Sequence, residues 1–274
     1  MPTLYVVATP IGNLEDLTPR AARVLAEVTV IAAENTNTAR RLLSHLGLRG
    51  KRYIPYNEHN RRSRIPQVVS LLHETDVVLV SEAGTPGISD PGTELVRAVR
   101  AAGHAVVPIP GPSAPIAALS ASGITARTFT FVGFLPVSKK DGRAVLARLA
   151  PTPEALVLLE APHRLPETLT LLREALGDRA VTVGREITKL HEEFWTGTLS
   201  GALTYFAEPR GEFTIVVEGA AGQAPTAVEF STAVTAPIIE QSATSWEAVT
   251  RLQEELGLSR REAYRLWLKG KRGS

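Results

Sequence analysis

Residues 76–114 read DVVLVSEAGTPGISDPGTELVRAVRAAGHAVVPIPGPSA, and this stretch decides the fold class. It holds two apolar runs typical of β-strands, 76–81 and 104–109, separated by a loop rich in glycine and proline and by a segment with helical periodicity. Two strands joined through a helix indicate a parallel β-sheet, because a parallel connection must return to the edge where the first strand began. The stretch therefore predicts an α/β unit with its longest loop after a strand.

The same alternation continues along the chain. Six further runs rich in Val, Ile, Leu and Thr predict strands at 3–9, 28–33, 129–134, 155–160, 180–186 and 213–218. We expect an α/β fold of two domains, 1–120 with a mostly parallel sheet and 121–222 with a mixed sheet. Residues 223–237 are predicted to form a linker, and 238–274 a small basic module of helix, turn and helix.

The composition is that of an ordinary globular protein. The chain has 274 residues, of which 44% are apolar and 21% charged. It contains no cysteine, which excludes disulfides, cysteine-ligated metals and a thiolate nucleophile. We expect a cytoplasmic protein without a membrane span and without a metal site.

Positive charge is concentrated in two places, although the formal net charge is only +2. Residues 49–64 carry six basic side chains against one acidic, and residues 251–274 carry seven against three. Such patches suit a polyanion, with Tyr53 and Tyr56 available to stack on bases, whereas an ordinary solvated surface is the alternative. The candidate RNA-binding residues are Arg61, Arg62, Arg64, Lys139, Lys140, Arg260, Arg261, Arg265 and Lys269.

Ligands of parallel α/β sheets bind beyond the carboxyl ends of the strands. The loop SEAGTPGISDPG (81–92) is the longest candidate there, and we expect Asp90 to cap the helix that follows it. Ser113 is expected to cap the next helix. The chain matches neither G-x-G-x-x-G nor the phosphate-binding G-x-x-x-x-G-K-[ST] motif, which argues against nicotinamide and triphosphate cofactors.

Five motifs in a fixed order resemble those of the tetrapyrrole methylase superfamily. They are TPIGNLEDLT (9–18), SEAGTPGISDPG (81–92), PGPSA (110–114), LLEAPHRLPETL (158–169) and GREITKLHEE (184–193). The closer resemblance is to the branch that methylates the 2′-oxygen of a cytidine in 16S ribosomal RNA of the small subunit. It implies a homodimer of two-domain subunits, with S-adenosylmethionine held in the cleft between the domains.

The resemblance also implies which residues meet the cofactor. Carried over position by position, they are Pro10, Ala83, Gly84, Thr85, Ile88, Ser113, Ala114, Glu160 and Ala161. The chain departs from the branch on the presumed substrate side, where Glu-Asp-Thr-Arg-His is replaced by residues 34–38, ENTNT. Asn35, Asn37 and Thr38 thus replace a carboxylate, a guanidinium and an imidazole. Arg61 and Glu82 also depart, and the effect on substrate contacts is open.

Methyl transfer to a ribose hydroxyl requires alignment and benefits from a base or a cation near the acceptor. Glu186 and Lys189 are the candidate pair, with a surface ion pair as the alternative interpretation. Two other functions remain open from the residues alone. One is a small-molecule methyltransferase acting on a corrinoid or porphyrin-like ring, or a diphthamide-type protein methylase; the other is a non-catalytic RNA-binding assembly factor.

Overall fold

A computed structural model describes residues 2–220, 235, 237–239, 242, 244–256 and 260–272. The chain divides into two compact units, Met1–Ala220, here called the body, and Ala221–Ser274, the tail module. None of the helices within the described ranges combines the length and apolar character that crossing a bilayer requires.

The first sheet of the body is parallel throughout and has the strand order β3-β2-β4-β1-β5. Its strands are β1 (Thr3–Val7), β2 (Val30–Ala33), β3 (Arg52–Pro55), β4 (Val77–Val80) and β5 (Ala105–Ile109). The helices that accompany it are α1 (Pro19–Glu27), α2 (Thr36–His45), α3 (Arg61–Leu71), α4 (Thr93–Ala101) and α5 (Ala114–Ala121).

Both faces of this sheet are covered, which explains why its central strands are apolar without interruption. Val78 and Val80 pack with residues of α1 and α2, whereas Val77 and Leu79 pack with residues of α3 and α4. Successive side chains of a strand point to opposite faces, so a doubly covered strand needs an apolar residue at every position.

The second sheet is mixed and has the order β6-β7-β10-β8-β9. Its strands are β6 (Phe129–Gly133), β7 (Ala155–Glu160), β8 (Ala180–Arg185), β9 (Glu193–Thr198) and β10 (Phe213–Val217), of which only the pair β6 and β7 is parallel. Helices α6 (Lys139–Leu149), α7 (Leu165–Leu176) and α8 (Leu199–Tyr205) complete this half.

Helix α5 links the two halves. Its Ala118 is buried in one cluster with Val157 and Val216 of the second sheet, and Ile11, from the loop after β1, packs on the same cluster. The small side chains of α5 allow this close approach. The fold prediction, a parallel first sheet and a mixed second sheet, is confirmed; the boundary at 120 stays a prediction.

Two strands of the body were not predicted from the sequence. β3 lies inside the basic segment 49–64, and β9 has exposed residues at alternate positions. Both are edge strands, where charged residues limit edge-to-edge aggregation and weaken the apolar signal. The expectation that Tyr56 is free to stack on a base is wrong, because its side chain is buried in the first sheet's core.

The tail module contains the two expected helices, α9 (Ser245–Leu256) and α10 (Arg260–Arg272). Val249 and Leu252 of α9 pack against Ala263 of α10. The backbone N–H of Glu247 donates to the Thr244 hydroxyl at 3.1 Å, so Thr244 caps α9. The predicted linker 223–237 lies outside the described residues except at positions 235 and 237.

Truncating the core of the second half will destabilise the protein. Leu169 is fully buried between α7 and the second sheet, so Leu169→Ala should lower the free energy of unfolding by about 2–5 kcal/mol. Leu190 is 92% exposed, and Leu190→Ala is the matched control that should change it by less than about 0.5 kcal/mol. Urea unfolding measures both; equal effects would contradict the assignment of the core.

Candidate functional site

A cavity of about 520 Å³ lies between the two halves of the body, here called the main cavity. The loop after β4 supplies one wall and the start of α5 a second, while the residues after β7 supply a third. Ile11, Phe134 and Ile187 add apolar surface. The volume is in the range of cavities that hold a whole drug-sized ligand.

The loop after β4 is fixed to the end of β1 by backbone hydrogen bonds. The N–H of Thr9 donates to the carbonyl of Gly84 at 2.9 Å, and the N–H of Gly84 donates back at 3.0 Å. Gly84 has a φ of +75°, and a Cβ built there would lie 3.3 Å from Cγ2 of Ile11. The Thr85 hydroxyl donates to the carbonyl of Pro112 at 3.3 Å. These bonds hold the loop against two neighbouring strand ends, so little of its freedom remains to be lost on binding.

A buried carboxylate organises the opposite wall. The side chain of Glu160 is fully buried and accepts hydrogen bonds from the Ala161 backbone at 2.9 Å and from the Thr168 hydroxyl at 2.6 Å. Arg164 approaches the same carboxylate at 3.5 Å and donates to the carbonyl of Leu135 at 2.7 Å. Arg164 thereby ties the loop after β6 to the loop after β7.

Eight of the nine predicted cofactor residues line the main cavity. They are Ala83, Gly84, Thr85, Ile88, Ser113, Ala114, Glu160 and Ala161. The ninth, Pro10, lines a smaller neighbouring cavity. Ser113 is the N-cap residue of α5, as expected, but its side chain makes no capping hydrogen bond.

Asp90 also lines the main cavity, and the expectation that it caps the following helix is wrong. The helix begins at Thr93, with Gly92 as the N-cap residue. Burial, together with the carboxylates of Glu34 and Glu82, raises the pKa of Asp90 to about 6, and the Ser81 hydroxyl opposes the increase. The sequence held one signal for this residue, its position within the longest strand-end loop, but the capping interpretation explained it equally well.

Glu186 and Lys189 lie beside the main cavity and pair with each other. The Lys189 ammonium is 2.9 Å from the carboxylates of both Glu186 and Glu212, and the backbone N–H of Glu212 donates to Glu186 at 2.8 Å. Burial raises the pKa of Glu186, but these two donors outweigh it and hold the pKa below its usual value. Burial likewise lowers the pKa of Lys189, yet the two carboxylates raise it overall. Both side chains are therefore charged, and each is held in an ion pair with the other.

This loop also connects the two halves. A Cβ at Gly12 would lie 2.3 Å from Cγ of Lys189, so the lysine stem rests directly on the loop after β1. The Thr188 hydroxyl donates to the carboxylate of Asp16 in the first half. The geometry shows a connection between the walls; the catalytic role of Glu186 and Lys189 stays a prediction.

The residues that depart from the family pattern make defined hydrogen bonds and ion pairs. Asn35 caps α2 by accepting from the backbone N–H groups of Asn37 and Thr38, and its amide donates to Glu82 at 3.0 Å. The Thr38 hydroxyl donates to the same carboxylate oxygen at 3.3 Å. Asn35 and Thr38 thus hold Glu82 in place. Arg61 pairs with Glu58 at 2.9 Å and Glu94 at 3.2 Å.

Some of the predicted RNA-binding residues are held in ion pairs or hydrogen bonds, whereas others are exposed. Arg61 is held by its two ion pairs, and Arg64 donates to Gln67 at 3.0 Å, whereas Arg62 is exposed. Lys139 pairs with Glu167 at 2.8 Å, and Lys140 is exposed. In the tail module Arg260 and Arg265 are exposed, while the side chains of Arg261 and Lys269 lie outside the described ones.

Comparison with known proteins decides the family. The family model of Tetrapyrrole (Corrin/Porphyrin) Methylases matches residues 3–202. The chain belongs to the tetrapyrrole methylase family. It is 44% identical to the protein of Synechocystis sp. named ribosomal RNA small subunit methyltransferase I, over 98% of each chain, and 41% identical to the protein of that name from Bacillus subtilis, over 96% and 93%. The protein is thus a methyltransferase.

Solved structures support the fold of this methylase. The methyltransferase CobJ superposes with a TM-score of 0.62 at 23% identity, over 81% of this chain and 95% of its own. The cobalt precorrin-4 methyltransferase CbiF gives a TM-score of 0.59 at 15% identity, over 79% and 94%. At these identities the likeness concerns the fold alone.

The raised pKa of Asp90 makes the stability of the methylase depend on pH. Because the folded protein holds the proton more tightly than the unfolded chain, stability falls as the pH rises from about 4 to about 6. Asp90→Asn removes this penalty and should stabilise the protein by about 1–2 kcal/mol at pH 7.5, and by less at pH 4.5. Urea unfolding at both values measures the difference. A gain that is the same at the two pH values would contradict the assignment.

Proposed function

We propose that this methylase transfers a methyl group from S-adenosylmethionine to the 2′-hydroxyl of a cytidine in 16S ribosomal RNA within the small subunit. The observation that carries the proposal is that eight of the nine residues implied to meet the cofactor line one cavity. The names of the relatives support RNA as the substrate, since two of them match nearly the whole chain at 41% and 44% identity.

The walls of the main cavity fit S-adenosylmethionine. Ile88 and Phe134 are large apolar side chains that stay about half exposed at the cavity, which is the surface a flat adenine would cover. Asp90 supplies negative charge suited to a sulfonium. The Ser113 hydroxyl, which does not cap its own helix, would bind polar groups of the methionine part. When bound, the cofactor supplies an electrophilic methyl group.

The main contribution of the body to methyl transfer is to align the acceptor with the methyl donor. The fixed loop after β4 and the Glu160 network hold the two walls, so the acceptor oxygen and the methyl carbon can meet at about 3 Å. The cavity lies between two halves that Lys189 and Thr188 connect, so changes in that connection alter the distance between the walls. We propose that Glu186 and Lys189 act in this way, by positioning.

Asp90 is our candidate for the proton acceptor. It lines the main cavity, and its pKa of about 6 leaves it ionised near pH 7.5 while keeping it more basic than an ordinary carboxylate. Glu186 has a lowered pKa and is bonded to Lys189 and to the backbone of Glu212, so it is the weaker base.

We further propose that the protein acts in the cytoplasm as a homodimer and that exposed cations bind the RNA backbone. The homodimer is what the resemblance to the branch that methylates 16S ribosomal RNA implies. On the RNA side, Arg62, Lys140, Arg260 and Arg265 are the exposed candidates.

The proposed activity can be measured directly. Incubation of the protein with labelled S-adenosylmethionine and undermethylated small subunits should label 16S ribosomal RNA, at the 2′-oxygen of a cytidine. Label in a corrinoid or porphyrin-like ring, or in a protein, with none in the RNA would favour the small-molecule or diphthamide-type alternative. Cofactor binding without transfer to any acceptor would favour the assembly factor.

The choice of base can be tested with two matched variants. Asp90→Asn should lower kcat by about 10²- to 10⁴-fold and remove the rise of kcat/KM with pH near 6. Glu186→Gln removes the charge that Lys189 neutralises and should lower kcat less, leaving the rise near pH 6 in place. Rapid-quench assays across pH 5–9 measure both. If Glu186→Gln abolished the pH dependence and Asp90→Asn did not, the two roles would be exchanged.

The role of the tail module in RNA binding has its own test. Reversing the charge of Arg260 and Arg265 to Glu should weaken binding of small subunits and make it less steeply dependent on salt, because fewer counterions are released. Affinity for S-adenosylmethionine should not change. Filter binding at several salt concentrations gives the slope. An unchanged slope and affinity would mean that the tail does not contact RNA.

A further inference from the structure

A second cavity, of about 180 Å³, adjoins the main cavity and shares Glu82 with it. It lies between α2 and the ends of β1 and β4. Leu14, Leu42 and Val80 give it apolar walls, and the exposed Arg41 lies at its edge. A liquid water takes about 30 Å³, so the space holds one small molecule and is far too small for the cofactor.

Thr9 gives the second cavity an unusual polar group. The residue is 3% exposed and lines the cavity, and its hydroxyl oxygen is buried without a hydrogen-bond partner among the described residues. A buried hydroxyl left unpaired is unfavourable, and buried polar groups are paired in the great majority of cases. The Thr9 backbone pairs with Gly84, so the hydroxyl is the part of this residue that has no hydrogen-bond partner within the described chain.

We propose that the second cavity receives the pyrimidine base of the acceptor nucleotide, turned out of its stack. This inference rests on the proposed function. The Thr9 hydroxyl would bond the edge of the ring, and Glu82 would accept from the exocyclic amine of cytosine, the pairing that carboxylates make with this base. Arg41 at the edge would meet a phosphate.

The arrangement of the two cavities supports this assignment. Because Glu82 lines both, a base in the second cavity places its own ribose at the junction, next to the main cavity where the methyl donor is proposed to bind. Asn35 and Thr38 donate to Oε1 of Glu82, and within the described chain its other oxygen, Oε2, receives no donor. Asn35 and Thr38, which depart from the family pattern, thus hold the carboxylate of Glu82 that would recognise the base. Uracil has a carbonyl in place of the amine and would meet Glu82 unfavourably.

Thr9→Val is the decisive variant, because it removes the hydroxyl and keeps the branched shape. It should fold with an unchanged or higher Tm, since an unpaired buried hydroxyl is replaced by a methyl group. It should bind S-adenosylhomocysteine like the wild type and lose about three- to tenfold in kcat/KM on small subunits. Thr9→Ser, which retains the hydroxyl, is the control and should stay within about twofold.

Glu82→Gln tests the reading of the base. On small subunits carrying cytidine or uridine at the methylated position, the wild type should prefer cytidine, and the variant should lose about tenfold of that preference. Full activity of Thr9→Val on subunits, or an unchanged preference in Glu82→Gln, overturns the proposal. Weaker binding of S-adenosylhomocysteine to Thr9→Val also overturns it, because the cavity would then belong to the cofactor.

A binding measurement separates this inference from the proposed function. Cytidine 5′-monophosphate is titrated into the complex with S-adenosylhomocysteine and followed by methyl NMR signals of Leu42 and Val80, which line the second cavity. We expect shifts in the wild type that weaken several-fold in Thr9→Val. No shifts, or equal shifts in both proteins, overturn the proposal whether or not ribosomal RNA is methylated. If shifts are seen but the wild type never methylates RNA, only the proposed function fails.

Discussion

The pair of hydrogen bonds between Thr9 and Gly84 is the constraint on which the site depends. It fastens the loop after β4 to the end of β1, at distances of 2.9 and 3.0 Å. Gly84 reaches this position only with a φ of +75°, a conformation that residues with a Cβ avoid. Because the loop is fixed, Ala83, Thr85 and Ile88 meet the main cavity from one wall. The same bridge leaves the Thr9 side chain in the second cavity, so one interaction forms the boundary of both.

Near the Thr9–Gly84 hydrogen bonds, a few local contacts join the two halves of the body. Helix α5 follows the first sheet in the chain, and its Ala118 packs in one cluster with residues of the second sheet. The loop 186–192 returns from the second sheet to Gly12 and Asp16. In that loop Glu186 and Thr188 adopt positive φ values of 49° and 69°, which cost energy for residues with side chains. The ion pairs of Lys189 with Glu186 and Glu212 hold the same loop.

The features of the fold that depend on local sequence patterns could be predicted from the sequence. The uninterrupted apolar run of β4 and the helix after it indicated a doubly covered parallel sheet, and the resemblance to the tetrapyrrole methylases implied which loops meet. Edge strands were missed because β3 and β9 carry exposed and charged residues, so their apolar signal is weak. Asp90 was assigned to a helix cap because the pattern Asp-Pro fits one; only the three-dimensional position of Gly92 and Thr93 shows otherwise. The ion pair between Arg61 and Glu94 depends on α3 lying against α4, which the sequence does not reveal.

Titration calorimetry of S-adenosylhomocysteine tests the central claim most directly. Gly84→Ala places a Cβ 3.3 Å from Ile11 at a φ of +75°, and Gly103→Ala has the same backbone strain, φ +81°, with nothing within 4 Å. We expect the wild type and Gly103→Ala to bind with the same affinity and Gly84→Ala to bind at least about tenfold more weakly, because of the two glycines only Gly84 lines the cavity. Equal affinity of the two variants, or no binding to the wild type, would contradict it.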